Sequence, residues 1–98
     1  MRNLLIIATL LFSSATHANG PTAEQCKLVA QISKKVMEIR QGGISMIDAM
    51  DAMDGNKLGI MLVKDAYSTP SYKTESFKQN AINEFSNKYT AMCFKLVK

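Results

Sequence analysis

Histidine occurs once in this chain, and no segment alternates polar and apolar residues with the two-residue period of a half-buried strand. The single histidine, His17, falls in the N-terminal leader discussed below, so the remainder offers no imidazole for a Ser-His-Asp or Cys-His arrangement or for the common zinc sites. The basic residues are spread along the chain without a dense patch, which argues against a nucleic-acid partner. No apolar run approaches the roughly 20 residues that a membrane-spanning helix needs. What remains is a short, mildly basic chain of 98 residues with net charge +4, two cysteines and seven methionines.

The N-terminus places Arg2 before an apolar run from Leu4 to Phe12, followed by small polar residues ending in Thr16-His17-Ala18. This is the order of a secretory signal, predicted to occupy residues 1–18 with cleavage near Ala18. No retained membrane anchor is expected, and Cys26 lies too far past the cleavage site for lipid attachment. Cleavage leaves one domain, residues 19–98, with eleven basic and eight acidic residues and a net charge of +3. In an exported domain of this size two cysteines are expected to form a disulfide, Cys26 to Cys93, the alternative being a pair of free or metal-binding thiols.

Helix signals then follow in order. Thr22 with Gln25 three residues on is a capping-box pattern, and Gly42-Gly43 is a stop, predicting a first helix from about Thr22 to Gln41. Leu28, Val29, Ile32, Val36, Met37, Ile39 and Cys26 are expected to form its buried face, with Ser33 and Arg40 as exceptions inside that sector. Ser45 with Asp48 opens a second helix of about ten residues ending at Asp54-Gly55-Asn56, with Met46, Ile47, Met50 and Met53 as its apolar stripe. Asn56 caps a third helix that stops before Pro70; it is the most apolar segment and is expected to be central. Thr74 caps a long fourth helix carrying Phe77, Ala81, Ile82, Phe85, Tyr89, Met92 and Leu96, with Phe94 off the stripe. The predicted fold class is all-α, a small bundle of four helices of unequal length closed by one disulfide, with the two long helices antiparallel.

Few residues are candidates for chemistry. Asp48, Asp51 and Asp54 form the only acidic cluster, but the alternating oxygen ligands, sixth-position glycine and late glutamate of a calcium loop are missing, so the cluster reads as a solvated face. Met46, Met50 and Met53 align on one side of the second helix; they fill core, form a pliable docking surface, or bind Cu(I) through their thioethers. Arg40 either caps the first helix and pairs with an acid such as Asp65, or points to a partner. No cofactor and no metal is implied, and no enzyme activity is expected.

The run Arg40-Gln41-Gly42-Gly43-Ile44-Ser45-Met46, with Ala66-Tyr67, Pro70-Ser71-Tyr72, Phe85 and the late Cys93, resembles a set of small exported proteins of phages, prophages and proteobacteria. These carry an Arg-Gln-x-Gly-x-Ser-Met signature between a first and a last cysteine. The resemblance covers most of residues 19–98 and implies the architecture rather than an activity. In architecture alone the chain is also similar to periplasmic phage proteins that control superinfection or lysis, and to periplasmic acid-stress chaperones.

Together these readings predict a periplasmic or secreted, non-enzymatic protein-binding module, phage-derived in type, that acts on an envelope or periplasmic protein. Its expected surface combines Arg40, Ser45, Met46, Met50 and Met53. The alternatives are a periplasmic stress chaperone and a methionine-based metal binder.

Overall fold

The computed structural model describes residues 20–98, so the expected signal peptide lies outside the described residues. The described chain forms four helices and no strand: α1 (Ala23–Gln41), α2 (Met46–Ala52), α3 (Lys57–Ala66) and α4 (Glu75–Phe94). Cys26 and Cys93 are bonded, with their Cα atoms 5.5 Å apart. Among the described residues no helix is long and apolar enough to cross a membrane.

Each helix starts where a side chain can replace a missing backbone acceptor. Gln25 N–H donates to Thr22 Oγ1 at 3.2 Å while Thr22 N–H donates to Gln25 Oε1 at 2.9 Å, a complete capping box. Ser45 accepts from Asp48 N–H, Asn56 from Gly59 N–H and Thr74 from Phe77 N–H, so all four predicted caps are in place. At its other end α1 closes in a Schellman turn: Ile44 N–H reaches Ile39 O and Gly43 N–H reaches Arg40 O. That turn puts Gly43 at φ +83°, a conformation in which a Cβ is strained. The second helix is shorter than expected. Asp54 and Gly55 both take positive φ, 50° and 77°, and this left-handed pair reverses the chain just past Met53.

α1 and α4 run antiparallel, because Cys26 meets Cys93, Ser86 Oγ donates to Ala30 O at 3.0 Å, and Lys78 Nζ donates to Gln41 O at 2.5 Å. This is the most extensive helix pairing, and α1 also packs against α2 and α3. The central helix is therefore α1 rather than the more apolar α3. Its nineteen residues, about 28 Å long at 1.5 Å per residue, provide a rail that a ten-residue helix cannot. α3 nonetheless supplies the most completely buried apolar side chains, Leu62, Val63 and Ala66, which join Val36, Met37, Ala49, Ile82 and Phe85 in one core. Gly59 lets α3 close on α2, since a Cβ there would lie 2.5 Å from Met53 Sδ.

The buried face of α1 is rotated by roughly a quarter turn from the apolar sector expected of it. Ser33 is fully buried, whereas Leu28 is 56% exposed and Ile32 sits at the surface. Two features fix this rotation. The disulfide aims the Cys26 sector at α4, and Ser33 satisfies its own hydroxyl by donating to Val29 O one turn earlier, so a small polar residue fits between the two long helices. On α4 the expected apolar residues Phe77 and Met92 are exposed along with Phe94, as is Leu96 just past the helix end, and the burial falls on Ile82 and Phe85.

Asp65 locks α3 to α4. Its Oδ2 accepts from Lys88 Nζ at 2.7 Å and from the Tyr89 hydroxyl. The bond from Lys88, aided by the one from Tyr89, holds the Asp65 carboxyl below its ordinary value of 3.8; burial, then the bond to Asp65, pushes Tyr89 up to about 12. A lowered acid stabilises the fold above its unfolded pKa and ceases to do so as pH falls through the folded one. A raised phenol does so below its unfolded value of 10 and stops as pH rises toward 12. The stability advantage of the wild type over Asp65→Asn should thus shrink as pH drops from neutrality to below about 3.8. Urea midpoints of both proteins against pH check this, and a constant difference would contradict it.

Candidate functional site

The segment Arg40 to Met46 forms the corner between α1 and α2, and it is tied to the connection between α3 and α4. Gln41, 3% exposed, uses nearly its whole polar inventory for that purpose. Its Nε2 donates to Pro70 O at 2.9 Å and its Oε1 accepts from Tyr72 N–H at 2.8 Å. Its backbone carbonyl accepts from Lys78 Nζ and, at 3.4 Å, from Ser71 Oγ. Arg40 Nε donates to Thr69 O at 2.8 Å, and its guanidinium carbon lies 4.7 Å from the centre of the Tyr67 ring. Tyr67 closes the loop by donating its hydroxyl to Ile44 O at 2.6 Å. Burial, the largest influence on it, raises the Tyr67 phenol above its ordinary value.

The two halves of the sequence pattern, Arg40 to Met46 and Tyr67 to Tyr72, are thus halves of one latch. Arg40 does not pair with Asp65, whose carboxylate is held by Lys88 and Tyr89 on α4. The arginine reaches a carbonyl and an aromatic face in the Tyr67–Pro70 turn instead, because the Schellman turn ends α1 beside that segment.

The latch holds the corner rigid and leaves its outer side open. Ser45 is exposed and caps α2. Of the two methionines on α2 and the one that caps its end, Met46 is 39% exposed, while Met50 and the cap Met53 are half-buried and pack against the core. The expected methionine stripe is therefore split. Ala49, one turn from Met53, is the buried centre of α2, which turns Ile47, Asp48 and Asp51 outward. Ile47 is 74% exposed, and Ile44 just before the helix is 43% exposed. Reasoning from the sequence missed both Gln41 and the outward position of Ile47. The small Ala49 within a run of larger apolar residues was the available sign, since it marks where a short helix can approach its neighbour closely.

Two concavities flank this frame. One of about 560 Å³ lies between the latched loop and α4, walled by Tyr72, Phe77 and Phe85 over Met37, with Glu84 and Lys88 at its rim. The other, about 350 Å³, lies between α1 and the α2–α3 turn and is lined by Ile32, Lys35, Val36, Ala52, Met53 and Gly59. Among the described residues no three His, Cys, Asp or Glu side chains are grouped to hold a metal ion. Asp48, Asp51 and Asp54 are all exposed. Comparison with protein-family models, curated proteins and solved structures yields no match for this chain.

Proposed function

We propose that this chain is an exported, non-enzymatic protein-binding module, of the phage- and prophage-associated type its motifs resemble, which seats its α1–α2 corner on an envelope protein. The observation that carries this reading is Ile47, a large aliphatic side chain left 74% exposed directly after Met46 and three positions after Ile44, both also exposed, on a corner fixed from behind by Arg40 and Gln41. Scattered exposed apolar residues are ordinary, but three within four positions on a rigid turn form a small patch suited to a partner. The latch lowers the ordering cost of binding, because the segment is held in place before a partner arrives. Arg40 supports the corner in this reading, and Ser45 shapes it by starting α2. Export is supported by the disulfide and by the leader order at residues 1–18.

Affinity capture from cross-linked envelope of the producing cell, with tagged wild type and an Ile47→Ser variant, tests the reading. The wild type should recover one dominant protein, and the variant should recover about tenfold less with an unchanged melting curve, the loss expected for removing one anchoring side chain. Equal recovery by both proteins would show that this corner is not the interface.

A further inference from the structure

The chain outside the corner is rich in lysine, yet between Gly42 and Asn56 there are three carboxylates and no cation. Among the described residues the ion pairs involve Glu24, Glu38 and Asp65, and none involves Asp48, Asp51 or Asp54. All three are exposed; Asp48 follows Ile47 in the chain, Asp51 lies one turn from Ile47 on the same strip of α2, and Asp54 stands in the turn just past the helix. Asp48 has a local explanation, since a carboxylate in the first turn suits the helix dipole. Asp51 has none. It stands in the last turn of α2, where the free carbonyls disfavour negative charge, and no cation offsets it. A carboxylate kept where it weakens its own helix, beside an exposed apolar side chain, matches an interface in which the charge is neutralised on binding.

Building on the proposed docking role, we infer that the occupant of this corner is a basic amphipathic segment of a protein: an apolar side chain set on Ile44 and Ile47, flanked by Lys or Arg that meet Asp48, Asp51 and Asp54. The remainder of the protein is net basic, so attraction of a cationic segment is concentrated on this face, which also fixes the direction of approach. An anionic lipid surface is repelled from the same face.

Fluorescence anisotropy of labelled amphipathic peptides tests this inference, using a Lys/Leu helix and a Glu/Leu helix of the same pattern as probes. The Lys/Leu peptide should bind at least tenfold more tightly than the Glu/Leu peptide, and a rise from about 50 to 200 mM salt should weaken its binding several-fold. Asp48→Asn/Asp51→Asn/Asp54→Asn should weaken it about tenfold, the size expected of three exposed ion pairs, and Ile47→Ser by a similar factor with the charges intact. Asp51→Asn alone should lower affinity two- to threefold while leaving the melting temperature equal or higher, a combination that loss of folding cannot produce. Equal binding of the two peptides, no binding of either, or no change in the triple variant overturns the inference. Ile47-dependent envelope capture that persists in the triple variant leaves the docking role standing and removes only the basic partner.

Discussion

Breaking the Cys26–Cys93 bridge is expected to destabilise the domain by about 4 kcal/mol, the loop-closure value for a crosslink between positions 67 apart. The magnitude is decisive because the fold is small. A domain of this length has a total stability of roughly 4–12 kcal/mol, so the bridge accounts for a third of it or more. Little else is available to replace it. The apolar core lies around Val36, Met37, Leu62, Val63 and Phe85, while at the bridged end Leu28, Met92 and Leu96 are exposed and contribute little packing. Cys26 is itself fully buried, so Cys26→Ser/Cys93→Ser also places a hydroxyl where a sulfur was sheltered. Thermal melts followed by circular dichroism, with and without reductant, should show a fall of some tens of degrees or a chain largely unfolded at 37 °C. A drop of only a few degrees would mean that α1 and α4 hold together without the crosslink.

Gln41→Met should have the next largest effect, about 2 kcal/mol. The substitution preserves volume and apolar contact, so packing changes little. It removes the acceptor for Tyr72 N–H and the donor for Pro70 O, and an unpaired backbone group costs about 1–3 kcal/mol when it stays buried. Because Pro70, Ser71 and Tyr72 are exposed, the loop can turn these groups to water, which limits the loss and names its signature. Amide hydrogen exchange at Tyr72 should rise sharply while exchange at Leu62 and Val63 follows only the drop in global stability. If Tyr72 stays protected in the variant, the side chain of Gln41 is not what holds the loop.

These two positions differ in how far the sequence announced them. The bridge follows from two cysteines in a chain whose leader order predicts export, and the helix starts follow from Thr22, Ser45, Asn56 and Thr74, because capping acts between residues three apart and is written locally. Gln41 donates and accepts across 29 and 31 positions, so nothing near it distinguishes a buried glutamine from a solvated one. The same limit explains the rotated face of α1. Counting apolar residues favoured Leu28 and Ile32, but the crosslink and the self-satisfied Ser33 decided which side meets α4. On α2 the stripe Met46-Ile47-Met50-Met53 was visible, yet which half faced outward depended on Ala49 and on Gly59 of α3 making room for Met53. Arg40 stands out in the sequence as a cation inside an apolar sector, but its destination does not, since Thr69 O and the Tyr67 ring enter reach only once the chain has folded.

The position of the bridge has a mechanical consequence. A stretching force applied to the chain on either side of residues 26 and 93 passes through two sulfur atoms, because the intervening polypeptide is shunted by a link whose Cα atoms are 5.5 Å apart. The four-helix loop hangs from that link without carrying tension, so while the disulfide is intact the domain lengthens little under load. Its far corner, fifteen residues along α1 and about 22 Å from the link, keeps its shape on a taut tether.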